Sequence, residues 1–219
     1  MRVLWVALAI LVADQITKVW VKTSMFYGES IPVVGDLFKL TFTENPGMAF
    51  GLTLGSKLFL TLFSLVATVL IGWYLWIVRK GHWGYRLSLA CILGGATGNI
   101  IDRLFYGVMW GECVPRGTEM ARLGYGCVVD FIHVDLWRGF VQLPWKDEPS
   151  FFALFPIGNI ADLAIMGGIF AILIFQGTFQ RYEQAQRQAE EDAAWRATDA
   201  PLDARLPAEP AEVKPEQNA

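Results

Sequence analysis

Four long apolar runs divide the chain. They cover residues 3–21, 58–78, 87–106 and 151–175. Each can cross a bilayer, because about 20 apolar residues rising 1.5 Å each span the hydrocarbon core. The pattern predicts an all-α membrane protein with four transmembrane helices. We expect the first run to be an uncleaved helix, since a cleaved signal peptide has a shorter apolar core and a small-residue cleavage site.

The connector between the first two runs has a different pattern. Phe38, Leu40 and Phe42 alternate with polar residues, which is the period of a half-buried β-strand. A turn-rich segment, 44–51, then returns the chain to the membrane. The pattern predicts a small outward-facing β element over 30–53, which lies on the membrane surface and is too short to fold alone.

A short basic loop predicts the orientation of the helices. Four of the eight residues from 79 to 86 are Arg, Lys or His, and positive residues are enriched in cytoplasmic loops. We therefore expect both termini to be cytoplasmic, with connectors 22–57 and 107–150 on the outer side. The outer connectors also carry basic residues, but long translocated loops count for less in this rule. We expect the second outer connector to be a loop and helix segment.

Composition agrees with a small polytopic membrane protein. Of the 219 residues, 54% are apolar and 14% are aromatic, which is too apolar for an ordinary soluble domain. The net charge of −3 reflects acidic residues after Gln180, and nothing suggests binding to nucleic acid. We divide the chain into a membrane domain, 1–176, and a cytoplasmic tail, 177–219. The tail is expected to be helical to Trp195 and disordered beyond it, where proline is frequent.

Polar residues interrupt the first and fourth runs. A charge inside a membrane is costly and usually has a function. Asp14 and Lys18 are four residues apart and can pair on one helix face. They are either a snorkelling pair at the membrane interface or a pair that supports a site. Asn159 and Asp162 are three residues apart and also share a helix face, so we interpret them as half of a site.

The third run ends in a glycine-rich segment, 94–98, followed by polar residues. Small residues allow a second helix to approach closely, which by itself indicates only packing. Gly95, Asn99, Asp102 and Arg103 fall at helical spacings. The same helix face therefore carries polar recognition chemistry as well.

Asp130 lies between apolar neighbours in the second outer connector. Desolvation by such neighbours raises the pKa of a carboxyl group. If Asp130 lies close to Asp162, the two groups cannot both ionise, so one keeps a proton while the other can accept one from water. Aspartic proteases use this arrangement, in which an activated water attacks a carbonyl carbon.

Five motifs follow one another along the chain. They are Asp14 with Lys18, Asn45-Pro46-Gly47-Met48-Ala49-Phe50-Gly51, Gly94-Gly95-Ala96 with Gly98-Asn99-Ile100-Ile101-Asp102-Arg103, Val128-Val129-Asp130-Phe131, and Phe155-Pro156 with Asn159-Ile160-Ala161-Asp162. Together, over Val3 to Phe175, they resemble the lipoprotein signal peptidase (signal peptidase II) family. The resemblance implies a bacterial inner-membrane aspartyl endopeptidase with four transmembrane helices. Such an enzyme removes the signal peptide from prolipoproteins by cutting before a diacylglyceryl-modified cysteine.

The resemblance also implies roles for individual residues. Asp130 and Asp162 would be the catalytic pair, facing the periplasm, and Arg103 would hold the substrate backbone. The β element would be a cradle for the substrate. The implied enzyme needs no cofactor or metal, and we expect it to be a monomer whose partners are prolipoprotein substrates and membrane lipids. The residues expected to line or support the site are Asp14, Lys18, Asn45, Gly47, Gly95, Asn99, Arg103, Asn159 and Ala161.

One segment departs from the family's pattern. Met109–Cys127 is an insertion between Arg103 and Asp130, and it is bracketed by Cys113 and Cys127. Disulfides persist in oxidising compartments, so we hypothesise a bond between these cysteines that pins the insertion beside Asp130. Closing a loop of this size contributes about 3 kcal/mol. Two free thiols are the alternative.

Other classes fit the sequence less well. A zinc metalloprotease needs His-Glu-x-x-His, whereas the only two histidines, His82 and His133, are far apart. Motifs of rhomboid serine proteases and presenilin-like proteases are absent from the sequence. A proton-coupled carrier could use Asp14, Asp102 and Asp162 as a relay, but carriers usually show internal repeats and more helices. A structural scaffold would have no use for the five motifs.

Overall fold

The structure is a computed structural model of the chain. It describes residues 2–49, 52–53, 57–111, 123–142 and 150–199. The chain divides into two compact units, Met1–Gln176 and Gly177–Ala219. All of the predicted site residues belong to the first unit.

Helices make up most of the described residues. They are α1 (Val3–Ser24), α2 (Lys57–Ile77), α3 (Trp83–Ile101), a π-helical turn (Asp102–Tyr106) that continues α3, the short α4 (Gly107–Met109), and α5 (Ile160–Asp199). Within the described ranges, three segments are long and apolar enough to cross a membrane: Val3–Ser24, Lys57–Ile77 and Ile160–Arg196. The chain is a multi-pass membrane protein.

The third and fourth predicted spans differ from the observed helices. The run 87–106 is divided between α3 and the π-helical turn, and α3 is not one of the three candidate spans in the described part of the chain. Arg86 and its neighbours in the first turn, together with the glycines and Asn99 near the C-terminal end, lower its hydropathy. The predicted count of four transmembrane helices is therefore not confirmed.

Helix α5 begins at Ile160 rather than at residue 151. The preceding residues Ser150–Ala153 form a strand instead, and Pro156 favours an extended conformation in the residue before it. Helix α5 then continues to Asp199, past the predicted helix end at Trp195. Residues 200–219, where we predicted disorder, lie outside the described residues.

In the described part of the chain, strands form three small antiparallel sheets. In the largest, β2 (Phe38–Asn45) lies between β1 (Ser30–Val34) and β5 (Val128–Val134). Two short hairpins pair β3 (Met48–Ala49) with β4 (Leu52–Thr53), and β6 (Arg138–Val141) with β7 (Ser150–Ala153). The predicted β element is confirmed at β1 and β2.

The second outer connector was predicted incorrectly as a loop and helix segment. Its described residues are helical only to Met109, and they then contain β5, β6 and the first residue of β7. Strand β5 is rich in β-branched and aromatic residues, which suit a strand. Its partner β2 is far away in the sequence, so local pattern alone did not identify the pairing.

Glycines of α3 allow α1 and α5 to pack closely on either side of it. A Cβ atom at Gly94 would lie 2.6 Å from the carbonyl oxygen of Ala7 in α1. A Cβ atom at Gly95 would overlap the carbonyl oxygen of Ala161 in α5. Close backbone approach of this kind is typical of membrane helices. It brings the polar residues of three helices together.

One apolar cluster joins the sheet to the helices. It connects the C-terminal part of α1, the central strand β2, strand β5 and the π-helical turn. Burying each large side chain contributes about 1.5–3 kcal/mol, so this cluster anchors the strand that carries Asp130. Its buried members are Val21, Met25, Phe42, Tyr106, Val129 and Phe131.

Candidate active site

Asp130 and Asp162 are brought together by a third residue, Asn159. Asp130 lies in β5 and Asp162 in the first turn of α5. The side-chain Nδ2 of Asn159 donates to Asp130 Oδ1 at 2.7 Å, and its main-chain N–H donates to Asp162 Oδ2 at 3.2 Å. Asn159 is fully buried and Asp130 is 2% exposed. Two carboxylates from distant parts of the chain thus share one hydrogen-bonding partner.

The start of α5 fixes the conformation of Asp162. Asn159 is the N-cap, because its Oδ1 accepts the main-chain N–H of Asp162 at 3.0 Å. Asp162 Oδ2 in turn accepts the main-chain N–H of Asn159. This reciprocal pair is a capping box, in which the N-cap and the third helical residue satisfy each other's free N–H groups. The sequence spacing Asn-x-x-Asp therefore orients a carboxylate as well as starting a helix.

Gly158 aligns the start of α5 with β5. Its N–H donates to the carbonyl oxygen of Ile132 at 3.0 Å, and its carbonyl oxygen accepts the N–H groups of Phe131 and Ile132 at 2.8 and 2.7 Å. A Cβ atom here would lie 3.1 Å from Asp162 Oδ2, so a small residue suits the position. These bonds hold Asp162 next to the strand residue Asp130.

Asn99 connects Asp162 to the lysine of α1. Its Oδ1 accepts from Lys18 Nζ at 2.8 Å, and its Nδ2 donates to Asp162 Oδ1 at 2.8 Å. An ammonium group can only donate, so the amide oxygen of Asn99 must face Lys18. Its NH₂ group is then directed at Asp162.

Lys18 lies at the centre of a buried cluster of charges. Its Nζ is 2.8 Å from Asp14 Oδ2 and 2.8 Å from Asp102 Oδ2, and all three side chains are 0% exposed. With Asn99, these carboxylates use the three donors of the ammonium group. The predicted pair of Asp14 and Lys18 is therefore present, and it is a buried pair rather than a snorkelling one.

The two carboxylates of this cluster also contact the main chain beside the paired aspartates. Asp14 Oδ1 accepts the N–H of Ala161 at 3.0 Å, and Asp102 Oδ2 accepts the N–H of Val129 at 3.2 Å. The structure thus places the main chain of Ala161 against this cluster, beside Asp162. Gly95 supports this arrangement from α3, because a side chain there would overlap Ala161.

Asn45 and Gly47 approach Asp130 from the first connector. Asn45 Oδ1 accepts the N–H of Gly47 at 2.8 Å, which is an Asx turn, and the Asn45 side chain also hydrogen-bonds to Asp130. Gly47 has a φ of 105°, a conformation that favours glycine. The turn therefore aims an amide at Asp130.

Arg103 lies between Gly47 and the acidic groups. A Cβ atom at Gly47 would be 3.1 Å from Arg103 Nη1. The guanidinium group interacts electrostatically with Asp130, Asp102 and Asp162. The structure thus brings all of the predicted site residues in the described part of the chain to one place.

Three further residues belong to the same network. Asp102 was predicted only as part of the polar face of the third run, and no role was predicted for Gln15 or Tyr106. Asp102 contacts Lys18, and Gln15 Nε2 donates to Asp102 Oδ1 at 3.0 Å. The Tyr106 hydroxyl donates to Gln15 Oε1 at 3.2 Å. Spacing in the sequence could have indicated these residues, because Asp102 and Tyr106 continue the helical face of Asn99 and Gln15 directly follows Asp14.

The π-helical turn holds the chain that leads into β5. The N–H of Gly124 donates to the carbonyl oxygen of Leu104 at 3.0 Å, and the N–H of Gly126 donates to that of Arg103 at 2.9 Å. Such turns are common at functional sites. Gly126 has no room for a side chain, because a Cβ atom would overlap the carbonyl oxygen of Asp102. These contacts place Asp130 beside Arg103.

Burial gives Asp130 a proton at neutral pH. Desolvation is the main cause that raises its pKa to about 8, and the negative charge of Asp162 adds to it. Lys18 and the amides of Asn159 and Asn45 oppose this rise. The site therefore offers a protonated carboxyl group beside a second carboxylate.

The described residues do not assemble a metal site. No group of three or more His, Cys, Asp or Glu side chains in the described ranges could hold a metal ion. His82 caps α3 by accepting the N–H of Gly84 at 3.1 Å, and His133 hydrogen-bonds to Thr41 at 3.0 Å. Both histidines have local structural contacts.

The predicted disulfide is only partly within the described residues. Cys127 is disulfide-bonded, and Cys91 is free. Cys113 lies outside the described residues, so the pairing of Cys113 with Cys127 stays a prediction.

Comparisons with known proteins agree with one another. The family model for signal peptidase (SPase) II matches residues 6–178. The chain is 36% identical over 200 residues to a lipoprotein signal peptidase of Amoebophilus asiaticus, covering 83% of this chain and 82% of that protein. It is 37% identical over 180 residues to a lipoprotein signal peptidase of Porphyromonas gingivalis, covering 75% and 78%.

A solved structure shows the same fold. It is described as a bacterial membrane enzyme, and it matches with a TM-score of 0.59 at 24% identity, covering 81% of this chain and 88% of that one. The family match extends over most of the chain and includes every predicted site residue. The resemblance seen in the five motifs is thus confirmed, and the chain belongs to the signal peptidase II family of lipoprotein-processing membrane proteases.

Proposed function

We propose that this chain is an intramembrane aspartyl endopeptidase. It removes the signal peptide from prolipoproteins by cutting before the diacylglyceryl-modified cysteine. The observation that carries the proposal is the buried pair of Asp130 and Asp162, bridged by Asn159, in a chain of the signal peptidase II family.

The surroundings of the two carboxylates support different roles in catalysis. Burial keeps Asp130 protonated, with a pKa of about 8, so it can donate a proton to the oxyanion that forms on the scissile carbonyl. Asp162 accepts hydrogen bonds from Asn99 and Asn159, and such bonds stabilise a negative charge. Asp162 is then the base that takes a proton from the attacking water.

Arg103 and the turn at Asn45 are suited to bind the substrate backbone. Arg103 lies against Gly47 beside the carboxylates, and its planar guanidinium has several donors for peptide carbonyl groups. The sheet of β1, β2 and β5 is the cradle that holds the peptide. The acyl chains of the substrate stay in the bilayer, since each buried methylene contributes about 0.8 kcal/mol to anchoring.

The proposed location is the bacterial inner membrane, with the site facing the periplasm. The basic loop 79–86 is then cytoplasmic by the positive-inside rule, as are both termini. In this orientation the sheet and the insertion face an oxidising compartment, where disulfides persist. The enzyme works as a monomer, without a cofactor, on lipid-modified substrates.

The disulfide of Cys127 is proposed to join Cys113. The chain has three cysteines, and Cys91 is free. Cys127 lies three residues before Asp130, so this bond would tie the insertion to the catalytic strand. Peptide mapping by mass spectrometry under non-reducing conditions should show the cross-linked pair of peptides. Alkylation of both cysteines without a reductant would contradict the pairing.

Cleavage of a diacylglyceryl-modified prolipoprotein by the purified chain in detergent tests the proposed function. We expect Asp130→Asn and Asp162→Asn to abolish cleavage while remaining folded. The matched control is Asp36→Asn, because Asp36 is a fully exposed carboxylate of the same unit, and it should cleave at the wild-type rate. The unlipidated substrate should not be cut.

Activity that survives in either Asp130→Asn or Asp162→Asn would contradict an aspartyl mechanism. The carboxylates would then be structural or part of a proton relay. Proton uptake into liposomes that contain the chain would identify the relay, whereas a protease should show none.

A further inference from the structure

Each of the proposed catalytic aspartates follows a residue whose main-chain N–H is held by a buried carboxylate. Asp102 Oδ2 accepts from Val129, directly before Asp130, and Asp14 Oδ1 accepts from Ala161, directly before Asp162. The positions of Asp14 and Asp102 therefore fix the main chain directly before each of the two proposed catalytic residues.

Gln15 lies between these two carboxylates. Its Nε2 is 3.0 Å from Asp102 Oδ1 and 3.2 Å from Asp14 Oδ2, and it is also 3.2 Å from the carbonyl oxygen of Gly98. Among the described residues, only Gln15 donates to both Asp14 and Asp102 from a single amide nitrogen. It joins the two halves of the network.

The contact with Asp102 is made at the oxygen that Lys18 does not use. Lys18 and the N–H of Val129 both bind Oδ2, whereas Gln15 binds Oδ1. A carboxylate held at one oxygen can turn about its Cβ–Cγ bond. Held at both oxygens, it keeps Oδ2 directed at Val129. Gln15 therefore restricts a rotation that Lys18 alone would permit.

Tyr106 orients the amide of Gln15. Its hydroxyl donates to Gln15 Oε1 at 3.2 Å, and its side chain is 3% exposed. With Oε1 occupied, the NH₂ group is directed at the carboxylates. A continuous path of hydrogen bonds then runs from Tyr106 through Gln15 and Asp102 to Val129.

We propose that Gln15, oriented by Tyr106, is a positioning residue that sets the relative placement of the two catalytic aspartates. It acts through Asp14 and Asp102 and does not touch the substrate. The inference rests on the proposed function, because it assigns a role in the same reaction. Small misplacements of catalytic groups cost about 10²-fold in rate. We therefore expect substitutions of Gln15 to lower kcat.

The test compares three single variants in the cleavage assay, with rates expressed per folded molecule. Gln15→Met keeps the length of the side chain and removes its amide, and it should lower kcat about 10- to 100-fold with KM within about twofold. Tyr106→Phe should lower kcat about threefold. The control is Thr23→Val, since within the described ranges the Thr23 hydroxyl bonds only to carbonyl oxygens of α1, and it should leave kcat unchanged.

A double variant separates positioning from general destabilisation. Because the Tyr106 hydroxyl acts through Gln15, Tyr106→Phe should have no further effect on kcat in the Gln15→Met background. Multiplying effects, or a wild-type kcat in folded Gln15→Met, would overturn the inference. If Gln15→Met does not fold, Tyr106→Phe alone decides, and an unchanged kcat would overturn it.

The same assay shows whether the proposed function has failed instead. In that case the wild-type chain does not cut the lipid-modified substrate, or Asp130→Asn still cuts it. When the wild type cuts and Asp130→Asn does not, the result for Gln15→Met bears on the positioning role alone.

Discussion

Two lysines of the first unit, Met1–Gln176, each contact two aspartates, but their surroundings are very different. Lys18 lies 2.8 Å from both Asp14 and Asp102, and none of the three side chains is exposed. Lys39, in strand β2, lies 3.2 Å from Asp36, which is fully exposed, and 3.7 Å from Asp135. We call Lys18, Asp14 and Asp102 the inner cluster, and Lys39, Asp36 and Asp135 the outer cluster.

The difference lies in what each cluster does for its neighbours. In the outer cluster Asp36 is fully exposed, so water can replace it as a partner of Lys39, and exposed ion pairs contribute little to the free energy of unfolding. The contact of Lys39 with Asp135 is more buried but is long, at 3.7 Å. Charges in the inner cluster are bound by Asn99, Gln15 and the main-chain N–H groups of Val129 and Ala161. The inner cluster is thus a structural support for the proposed catalytic pair, which the outer cluster is not.

The largest expected effect comes from removing the inner lysine. Lys18→Met leaves Asp14 and Asp102 buried without their cation, and breaking a buried pair in this way costs about 3–5 kcal/mol. We expect a large fall in melting temperature and loss of cleavage, measured by thermal unfolding in detergent and by the prolipoprotein assay. A variant that melts and cleaves like the wild type would show that the buried charges do not depend on Lys18.

Much of the inner cluster could be predicted from local spacing. The separation of Asp14 and Lys18 predicted their contact, and the capping box of Asn159 and Asp162 is visible as Asn-x-x-Asp. Contacts of Gln15 with Asp102 could not be predicted in this way, because they join α1 to the end of α3. They depend on how closely glycines allow the helices to pack.

The fold could be predicted only in part, because local patterns are visible in the sequence and contacts between distant elements are not. Apolar length identified α1 and α2, and alternation identified β2, since both are local patterns. The strand β5 was missed because its partner β2 lies about 90 residues earlier. The start of α5 was placed too early because residues 151–159 are as apolar as a helix, whereas strand pairing and the N-cap at Asn159 determine where the helix begins.

The second-largest effect is expected at Asn99, which links the inner cluster to the proposed catalytic pair. Asn99→Leu removes the amide that accepts from Lys18 and donates to Asp162. We expect kcat to fall about 10²-fold, because Asp162, the proposed base, loses a hydrogen bond that orients it. Steady-state kinetics on the lipid-modified substrate will measure the fall, and a change confined to KM would argue for a role in substrate binding instead.

Stability should depend on pH through Asp130. Burial, with a smaller contribution from the charge of Asp162, raises its pKa to about 8, against about 3.9 in an unfolded chain. Between these values the folded chain keeps a proton that the unfolded chain has lost. The contribution of this proton to the free energy of unfolding is complete below about pH 4 and is lost as pH rises through 8.

Asp130→Asn checks this dependence, because an amide does not titrate. The variant should melt several degrees above the wild type at pH 9, and the difference should shrink toward pH 5. Wild-type cleavage should also decline above about pH 8, as Asp130 loses its proton. Asp36→Asn is the matched control from the outer cluster and should show no such trend. Equal melting-temperature differences for Asp130→Asn at both pH values would contradict the raised pKa.

The smallest effect is expected at the outer lysine. Lys39→Met removes a contact with exposed Asp36, which water and salt already weaken, and a long contact of 3.7 Å with Asp135, so the melting temperature should shift by no more than about 2 °C. Cleavage should be unchanged, and added salt should remove whatever shift remains. Melting curves at low and high salt, beside those of Lys18→Met, measure both clusters under the same conditions. A loss at Lys39 comparable with that at Lys18 would mean that the sheet, and not burial around Lys18, supports the proposed catalytic pair.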